Sequence, residues 1–369
     1  MKIAFICSSL EPGHDGVGDY TRCLAAALIK QGNDIAILSI SDKNINEVTT
    51  NIQQCDGVEV RVMRIPFFYD KTERSKHAKN WIDQFDPQWV SLQFVPFGFH
   101  SKGLTIGLSK FLLSINSTRP WHIMFHELWV GMEYETSQKL IWWGRVQRFL
   151  IKSMIANLKP WAIHTQTILY QLQLAKLGFE AQYLPIFSNI PIIDKAIVED
   201  TKVKRLLVFG EIHQGAPIDS LAKDVAAYMG KNQVKIILTF LGRSNEKERN
   251  RWIDAWESNG LEVELLGERP AERIAEVFSK AKLGISLTAF AISDKSGSVA
   301  AMRAFGLKIL CLSRPWSPRG FNGFELPADI FNYTAGSFET FMDAKQNDSP
   351  VCDAPEIALK LLNDLKSVV

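Results

Sequence analysis

Short apolar runs that alternate with helix-like segments constrain the fold of this chain more than any other feature. In the first half these runs are KIAFICSS, DIAILSI, VEVRVMRIP, QWVSLQFV, WHIMFHE and WAIHTQT, and segments such as TRCLAAALIKQG lie between them. Strands that are apolar on both faces and are separated by helices are typical of a parallel sheet covered on both sides. The first half therefore predicts an α/β domain with a parallel sheet.

The same pattern restarts after a polar segment, PIFSNIPIIDKAIVEDTKVK, which we interpret as a linker. The runs RLLVFGE, KIILTFLG, VELLGE, KLGISLT and KILCLS follow it. Because ordinary domains hold about 100–200 residues, the 369-residue chain accommodates two of them. We predict domains at 1–190 and 191–369, with the last helix able to pack back on the first domain. Ligands of open α/β sheets bind beyond the carboxyl ends of the strands, so we expect a ligand cleft between the domains.

Charge and cysteine content exclude several classes of protein. The chain has 42 basic and 40 acidic side chains, and this balance excludes a protein whose whole surface is basic and binds nucleic acid. No apolar run reaches the length of about 18 residues that spans a bilayer. The five cysteines are scattered and form no C-x-x-C pair, so they fit reduced thiols and argue against secretion and against a zinc ribbon. We expect a cytoplasmic protein.

The loop GHDGVGD at 13–19 follows the first apolar run and opens the first helix. Backbone N–H groups and the helix dipole at such a place receive phosphate groups, so we predict ligand contacts from Gly16 and Gly18. The alternative is a strand-to-helix turn that needs glycine for its backbone conformation. The order G-x-x-G-x-G differs from the G-x-G-x-x-G of dinucleotide-binding proteins, which makes an NAD-dependent oxidoreductase the least favoured function.

A second glycine loop, FGEIHQGAP, ends the first run of the second domain. Its glycines have the spacing of a P-loop, but Ala216 and Pro217 stand where Lys and Ser or Thr are required, so a nucleotide triphosphatase is rejected. The loop still lies at the carboxyl end of a strand, where ligands bind. We predict that three of its residues face the ligand: Gly210, Glu211 and His213.

The most informative stretch is ISDKSGSVAAMRAFGLKIL at 292–310. Two hydroxyls, a glycine and Lys295 precede the helix VAAMRAFG, and a helix N-terminus beside a lysine complements an anion. The alternative is an ordinary N-cap, because serine is a favoured capping residue. We predict a phosphate site formed by Asp294, Lys295, Ser296, Gly297 and Ser298.

His126 and Glu127 end the run WHIMFHE. A polar pair is costly inside a core, so we expect it to emerge at the carboxyl edge of the sheet. The alternative for His126 is a hydrogen-bonded structural histidine. The sequence HELWVG lacks the second histidine of a zinc-protease helix, so no metal site is predicted.

Together these segments resemble a retaining glycosyltransferase of the GT-B type, from the family 4-like or group 1 enzymes. The family's N-terminal signature is similar to DGVGDYTRCLAAALIKQGNDIAIL, in which Gly16 takes the place of the second glycine and Asp15 that of the first. LLVFGE, LTFLGR and VELLGERPAERIAEVFSKAKLGISLT resemble the strands and the helix around the family's nucleotide site. The resemblance covers nearly the whole chain. It implies two Rossmann-like domains whose parallel sheets face an interdomain cleft.

The chain departs from that family in its charged residues. Most relatives carry Glu, seven residues, then Glu, and the second of these holds the nucleotide ribose, whereas Ser293 and Ala301 stand there in this chain. The Arg and Lys that clamp the diphosphate in relatives fall near Glu211 and Gln214. A minority branch uses a basic residue and a glycine–serine turn instead, which the segment KSGS at 295–298 resembles.

The resemblance implies transfer of a sugar from a nucleotide diphosphate sugar to a glycan, lipid-linked or small-molecule acceptor, with retained anomeric configuration. Lys295 would stabilise the leaving diphosphate in place of a metal ion, so no cofactor is expected. His126 would position the transferred sugar, and Asp19 would orient an acceptor hydroxyl. Because both glutamates are missing, the alternative is a non-catalytic nucleotide- or sugar-binding protein that kept the fold.

A basic stretch without acidic residues runs from 136 to 179. On a helix, four of its basic residues share one face and three aromatic residues lie beside them. The basic residues are Arg145, Arg148, Lys152 and Lys159, and the aromatic ones are Trp142, Trp143 and Phe149. This combination suits the anionic inner face of a membrane that holds a lipid-linked acceptor. The alternative is a domain helix that packs through its aromatic side and exposes its basic face.

Overall fold

The computed structural model describes residues 1–192, 203–321, 328–344 and 353–368, which divide into two compact units. The N-terminal domain joins Met1–Pro185 to the C-terminal segment that begins at Ala354, and the C-terminal domain is Ile186–Asp353. The division falls after Pro185, five residues before the boundary predicted after Ile190. Much of the predicted linker lies outside the described residues.

One eight-stranded sheet forms the centre of the N-terminal domain. Its strands are β1 (Lys2–Cys7), β2 (Asp34–Asp42), β3 (Thr49–Cys55), β4 (Val58–Pro66), β5 (Trp89–Phe94), β6 (Trp121–Phe125), β7 (Ala162–Thr165) and β8 (Gln182–Tyr183). Their order across the sheet is β3-β4-β2-β1-β5-β6-β7-β8. All neighbours pair in parallel except β3 and β4, which are antiparallel. The α/β architecture predicted for this half is confirmed, with one antiparallel strand added at the edge.

Helices connect the parallel strands of this domain. They are α1 (Gly16–Lys30), α2 (Lys71–Phe85), α3 (Pro96–Phe99), α4 (Leu108–Ile115), α5 (Gln138–Leu158) and α6 (Ile168–Ala175). Residues 3–7 of β1 are each fully buried. Since successive side chains of a strand point to opposite faces, both faces of the sheet are covered at its centre.

The edge strand β3 was not predicted. Its sequence TTNIQQC is polar and mostly exposed, so it carries no apolar signal. It is joined to β4 by Asp56 and Gly57, both with positive φ (50° and 72°). Asp-Gly between two paired segments favours a two-residue hairpin turn, and this dipeptide is the signal that could have revealed the strand.

The C-terminal domain holds a six-stranded parallel sheet among its described residues. Its strands are β9 (Val203–Phe209), β10 (Lys235–Leu241), β11 (Glu262–Gly267), β12 (Leu283–Ser286), β13 (Lys308–Cys311) and β14 (Ile330–Asn332), in the order β11-β10-β9-β12-β13-β14. Its helices are α7 (Ile218–Asn232), α8 (Glu246–Glu257), α9 (Ala271–Ser279), α10 (Gly297–Ala304) and α11 (Phe338–Asp343), with a 3₁₀ helix at Phe290–Lys295. The second predicted α/β domain is therefore confirmed.

The last helix, α12 (Ala354–Ser367), belongs to the N-terminal domain, where it lies against α1. Its buried residues follow the period of a helix that packs through one face: Ile357, Ala358, Leu361, Leu362 and Leu365.

Both sheets have a strand order that reverses next to their first strand. In the N-terminal domain the chain moves from β1 outwards to β2 and β4, then returns to β5 on the other side; in the C-terminal domain the reversal separates β9 from β12. Ligands of doubly wound sheets bind outside the carboxyl ends of the strands at such a reversal. We therefore expect ligand contacts from the loops after β1, β5, β9 and β12.

Candidate functional site

The predicted glycine loop of the N-terminal domain leads into α1, which is capped by the loop's own aspartate. The carboxylate of Asp15 accepts hydrogen bonds from the backbone N–H of Val17 (2.9 Å) and of Gly18 (3.0 Å). A carboxylate at a helix N-terminus complements the positive end of the dipole and repels a second anion. Asp15 therefore takes the donors that a phosphate would use.

The two predicted glycines of this loop differ in their surroundings. A Cβ atom at Gly18 would lie 2.7 Å from the carbonyl oxygen of Ser9, so the first turn of α1 packs against the loop after β1 only with glycine there. Around Gly16, no described atom lies within 4 Å of such a Cβ atom. Packing alone accounts for Gly18, whereas Gly16 is open to a ligand.

The carboxylate of Asp19 is held by its own loop. It accepts a hydrogen bond from the backbone N–H of Gly13 (3.1 Å) and forms an ion pair with Arg22 one turn further along α1. The side chain is partly exposed. Asp19 thus orders the glycine loop, and its suggested contact with an acceptor stays a prediction.

A buried ion pair anchors the chain where β1 ends. The Nε atom of Arg64, near the end of β4, donates to Asp42 Oδ2 at the end of β2 (2.7 Å), and both side chains are buried. The same carboxylate oxygen accepts from the backbone N–H of Leu10 (3.1 Å), and Arg64 also pairs with Glu11 (2.6 Å). Burial alone would raise the pKa of the Asp42 carboxyl, but the Arg64 guanidinium and two backbone N–H groups outweigh it and hold the pKa below its usual value.

His126 follows β6 directly, at the carboxyl edge of the sheet where it was predicted. Its side chain is 6% exposed, and both ring nitrogens have amide partners. The Nε2 atom lies 2.9 Å from Gln93 Oε1, and the Nδ1 atom lies 3.2 Å from Gln166 Oε1. The ring of Tyr20 on α1 approaches it edge-on, with 5.0 Å between ring centroids. The geometry is that of a hydrogen-bonded histidine beside the glycine-loop helix.

A pocket of about 280 Å³ opens at the carboxyl edge of the C-terminal sheet. It is lined by His213 after β9, by Thr288 after β12, and by Arg314 and Trp316 after β13. The strand order reverses between β9 and β12, so the pocket lies where doubly wound sheets bind ligands. Gly210, with a φ of 95°, turns the chain from β9 into this loop, and Glu211 beside it is exposed.

The stretch predicted to bind phosphate begins α10. Ser296 occupies the N-cap position, yet its side chain makes no capping hydrogen bond within the described part of the chain. Its hydroxyl instead lies 3.0 Å from that of Ser298, and Gly297 between them is exposed. The ordinary N-cap that was the alternative interpretation is thus not formed. Lys295 is half-buried and Asp294 is buried at the end of the preceding 3₁₀ helix.

The two positions aligned with the family's glutamates both lie inside the C-terminal domain. Ser293 is fully buried, and its hydroxyl donates to the carbonyl oxygen of Phe290 (2.9 Å). Ala301, on α10, belongs to the apolar core. Both side chains are fully buried.

Sequence reasoning missed two residues of the pocket, Arg314 and Trp316. They belong to the segment SRPW that follows β13, which has no glycine motif and matches nothing in the family signature. The signal available in the sequence was their position directly after a predicted strand, because loops at the carboxyl ends of parallel strands carry the ligand contacts.

An exposed apolar ridge runs along α5. Trp142, Val146 and Phe149 are 63%, 46% and 69% exposed, and they recur with the period of a helix face. The guanidinium of Arg145 lies 4.5 Å from the Trp142 ring centroid, and Lys152 is exposed on the same flank. We call this surface the α5 ridge.

The alternative interpretation of α5 was that it packs on its domain through its aromatic side. Of the three predicted aromatic residues, one packs in this way. Trp143 is half-buried and its Nε1–H donates to the carbonyl oxygen of Lys102 (2.9 Å). The helix packs on its domain mainly through other residues: Gly144, Gln147, Ile151, Met154, Ile155 and Leu158. Trp142 and Phe149 remain in solvent.

The described residues contain neither a metal-binding cluster nor a membrane-spanning helix. No cluster of three or more His, Cys, Asp or Glu side chains there has the arrangement of a metal site. Across the same residues, every helix is too short or too polar to cross a membrane.

No protein-family model and no curated protein matches this sequence. Solved structures do match its fold. The lipopolysaccharide outer core galactosyltransferase WaaB, in its apo form, is 12% identical with a TM-score of 0.58, and HepE of Anabaena, in complex with UDP and glucose, is 13% identical with a TM-score of 0.58. Each match covers 100% of both chains. The UDP-GlcNAc 2-epimerase of Methanocaldococcus jannaschii, at 10% identity, also matches over 100% of both chains, with a TM-score of 0.53.

These likenesses establish the architecture as GT-B, with two Rossmann-like α/β domains. At such identities they define the fold, and the fold is shared by transferases and epimerases. The fold by itself does not distinguish these activities, which depend on the side chains of the sites.

Proposed function

We propose that this protein is a glycosyltransferase that moves a sugar from a nucleotide diphosphate sugar to an acceptor with retention of configuration and without a metal ion. The observation that carries the proposal is the pocket at the strand-order reversal of the C-terminal domain. It combines an arginine for phosphate with an indole ring for a nucleobase. The fold likeness to HepE in complex with UDP and glucose supports the same assignment.

We assign the diphosphate to the C-terminal domain and not to the glycine loop of α1. Asp15 already caps α1 with a carboxylate, whereas in the described part of the chain the side chain of Ser296 makes no capping hydrogen bond at the first turn of α10. Lys295, the backbone N–H groups at the start of α10 and Arg314 would then stabilise charge on the leaving diphosphate, which is the part a metal ion plays in other transferases. His126 would position the sugar, with Gly16 and Asp19 on the acceptor side.

Donor binding tests the pocket. We expect Arg314→Ala to weaken the binding of nucleoside diphosphates by about 10- to 100-fold, because a charge-assisted hydrogen bond contributes about 1.5–3 kcal/mol. Isothermal titration calorimetry with UDP, GDP, ADP and dTDP measures the effect. Arg273→Ala is the matched control, because Arg273 is an exposed arginine of the same domain that does not line this pocket. Equal affinities of the Arg314→Ala variant and the wild type for nucleoside diphosphates would show that the diphosphate does not bind in this pocket.

The second candidate function is a binding protein without catalysis. The buried Ser293 and Ala301 favour it, because they offer no carboxylate to a donor. Hydrolysis and transfer assays with the four nucleotide diphosphate sugar classes separate the two functions. Binding without turnover across a broad acceptor panel supports the second function, and turnover supports the first.

We also propose that the α5 ridge contacts the anionic inner face of a membrane from the cytoplasm, where a lipid-linked acceptor would lie. Its aromatic residues are in solvent, and basic side chains flank them. Amphipathic helices of this composition lie in the membrane interface, with the apolar face inserted and the basic residues at the headgroups.

Vesicle flotation tests this contact. We expect the wild type to float with phosphatidylglycerol vesicles at low salt, and Phe149→Ala to weaken binding by about tenfold, because burying a phenylalanine contributes about 1.5–3 kcal/mol. Trp161→Ala is a control, since Trp161 is a 54% exposed aromatic residue of the same domain outside the ridge. Flotation that is the same for both variants, or absent in the wild type, would contradict the proposal.

A further inference from the structure

A continuous chain of hydrogen bonds crosses the interior of the N-terminal domain and ends at His126. It begins at Asp364 on α12, whose Oδ2 atom lies 3.0 Å from the Nε2 atom of His164 on β7. The Nδ1 atom of His164 lies 3.0 Å from the Nε2 atom of His122 on β6. The Nδ1 atom of His122 lies 2.7 Å from the hydroxyl of Ser91 on β5.

The second half of the chain leads from Ser91 to the candidate site. The Nε2 atom of Gln93 donates to the Ser91 hydroxyl (2.8 Å), and Gln93 Oε1 lies 2.9 Å from the Nε2 atom of His126. Gln166 is the partner on the other side of the His126 ring, with its Oε1 atom 3.2 Å from Nδ1. Three neighbouring strands and the last helix are thus linked to one histidine.

Every polar group between the two ends of this chain is buried. Ser91, Gln93 and His164 are fully buried, and His122 is 1% exposed. A buried donor that faces a donor, or an acceptor that faces an acceptor, loses its hydrogen bond and costs about 1–3 kcal/mol. The positions of the protons in the chain are therefore coupled to one another.

The carboxylate of Asp364 sets the direction of the first half. A carboxylate only accepts hydrogen bonds, so His164 carries its proton on Nε2 and, when neutral, accepts at Nδ1. His122 must then donate from Nε2 and accept at Nδ1 from the Ser91 hydroxyl. Hydrogen bonds from His164 and from Lys360 lower the pKa of Asp364, and burial lowers that of His122 well below its usual value, so the carboxylate is charged and His122 is neutral near pH 7.

The same pairing of donors with acceptors fixes the hydrogen bonds from Ser91 to His126. Since the Ser91 hydroxyl donates to His122, it accepts from the amide N–H of Gln93, and Gln93 turns its oxygen to His126. His126 therefore carries a proton on Nε2. In its neutral form the Nδ1 atom is left as an acceptor towards Gln166, whose amide offers its nitrogen after a half-turn. The reverse direction would end with two acceptors, His164 Nε2 and the carboxylate, facing each other.

We propose that Asp364 is a positioning residue that fixes the tautomer of His126 through this chain, so that Nε2 is protonated and Nδ1 is the acceptor. The role of that acceptor rests on the proposed function: the Nδ1 atom is then offered to a sugar hydroxyl in place of Gln166. The sequence around His126 does not indicate the role of Asp364. The chain of hydrogen bonds passes through His164, which is 200 residues from Asp364 in the sequence.

The test is ¹⁵N NMR of the full chain with labelled histidine and without any ligand. We expect the wild type to hold His122, His126 and His164 as Nε2–H tautomers, each in at least about fivefold excess, as an unmade buried hydrogen bond of about 1–3 kcal/mol requires. In Asp364→Asn the amide satisfies either direction, so the Nδ1–H tautomer of all three rings is expected to rise to a comparable population. Lys360→Met is the matched control: Lys360 bonds the same carboxylate (3.2 Å) from the solvent side, so the tautomers should not change.

Two results would overturn the inference: an Nδ1–H tautomer at His126 in the wild type, or unchanged tautomers in Asp364→Asn. If that variant does not fold, Ser91→Ala cuts the chain in the middle. We then expect His164 and His122 to keep their tautomers while His126 loses its preference, and unchanged His126 tautomers would count against the chain. Because these spectra need no donor, a failure of glycosyl transfer and a failure of this inference are seen separately.

Discussion

Asp42→Ala is expected to lower the opening free energy of β1 and β2 by about 3–5 kcal/mol, because removal of one partner leaves the other charge of a buried pair uncompensated. Arg64 would keep its ion pair with Glu11 but lose the one with Asp42, and the backbone N–H of Leu10 would lose its acceptor. Amide hydrogen exchange of these strands measures the effect, since a chain of two units need not unfold in one step.

The matched control is another Asp–Arg pair on the same two strands. Asp34 and Arg61 join β2 to β4 at 2.8 Å, but their side chains are 43% and 63% exposed. Exposed pairs contribute about 0.2–1 kcal/mol, so Asp34→Ala should have a small effect. Similar losses of opening free energy in the two variants would show that burial does not strengthen the ion pair of Asp42 with Arg64.

The contribution of Asp42 to the opening free energy of β1 and β2 should also depend on pH. Its pKa is lower in the folded protein than in the unfolded chain, where it is about 3.9. The stabilisation is therefore fully present above that unfolded value and is lost as the pH falls through the folded pKa. The difference between the wild type and Asp42→Ala should shrink below about pH 4. A constant difference down to acid pH would contradict this account.

Lys295→Met is expected to lower kcat by about 100- to 1000-fold, the loss seen when one group that stabilises developing charge is removed. Lys295 directly precedes Ser296 at the start of α10, where we propose that the diphosphate binds. Donor hydrolysis and transfer to an acceptor, measured under saturating donor, report kcat separately from donor affinity.

Lys280→Met serves as the control for Lys295, because Lys280 is an exposed lysine at the end of α9. Lys295→Arg keeps the charge and should retain part of the activity, whereas loss equal to that of Lys295→Met would point to a structural role. A Lys295→Met variant with the kcat of the wild type would take this residue out of the mechanism.

The candidate site was predictable only in part. The position of His126 at the carboxyl edge follows from a polar residue after a buried run, which is a local pattern. Its partners Gln93 and Gln166 come from neighbouring strands, and only the parallel register brings them together. A pattern was present, because polar residues an even number of positions apart in three successive runs lie on one face of a sheet: Ser91 and Gln93, His122 and His126, His164 and Gln166.

The glycines show the same division between local and tertiary causes. The sequence marks Gly16 and Gly18 alike, but only the contact between α1 and the loop after β1 distinguishes a glycine required by packing from one in open space. In the same way, serine before α10 predicts a cap, and the structure pairs Ser296 with Ser298 instead.

The sequence by itself determined that the chain forms two α/β domains with parallel sheets, because apolar runs and helical periods are properties of a few successive residues. Tertiary structure decided which loops share a pocket, as with His213 and Arg314, and that the last helix belongs to the first domain. It also joined Asp364 to His164 across 200 residues of chain. Such contacts depend on strand order and register, which follow from the packing of the whole domain and not from any local stretch of sequence.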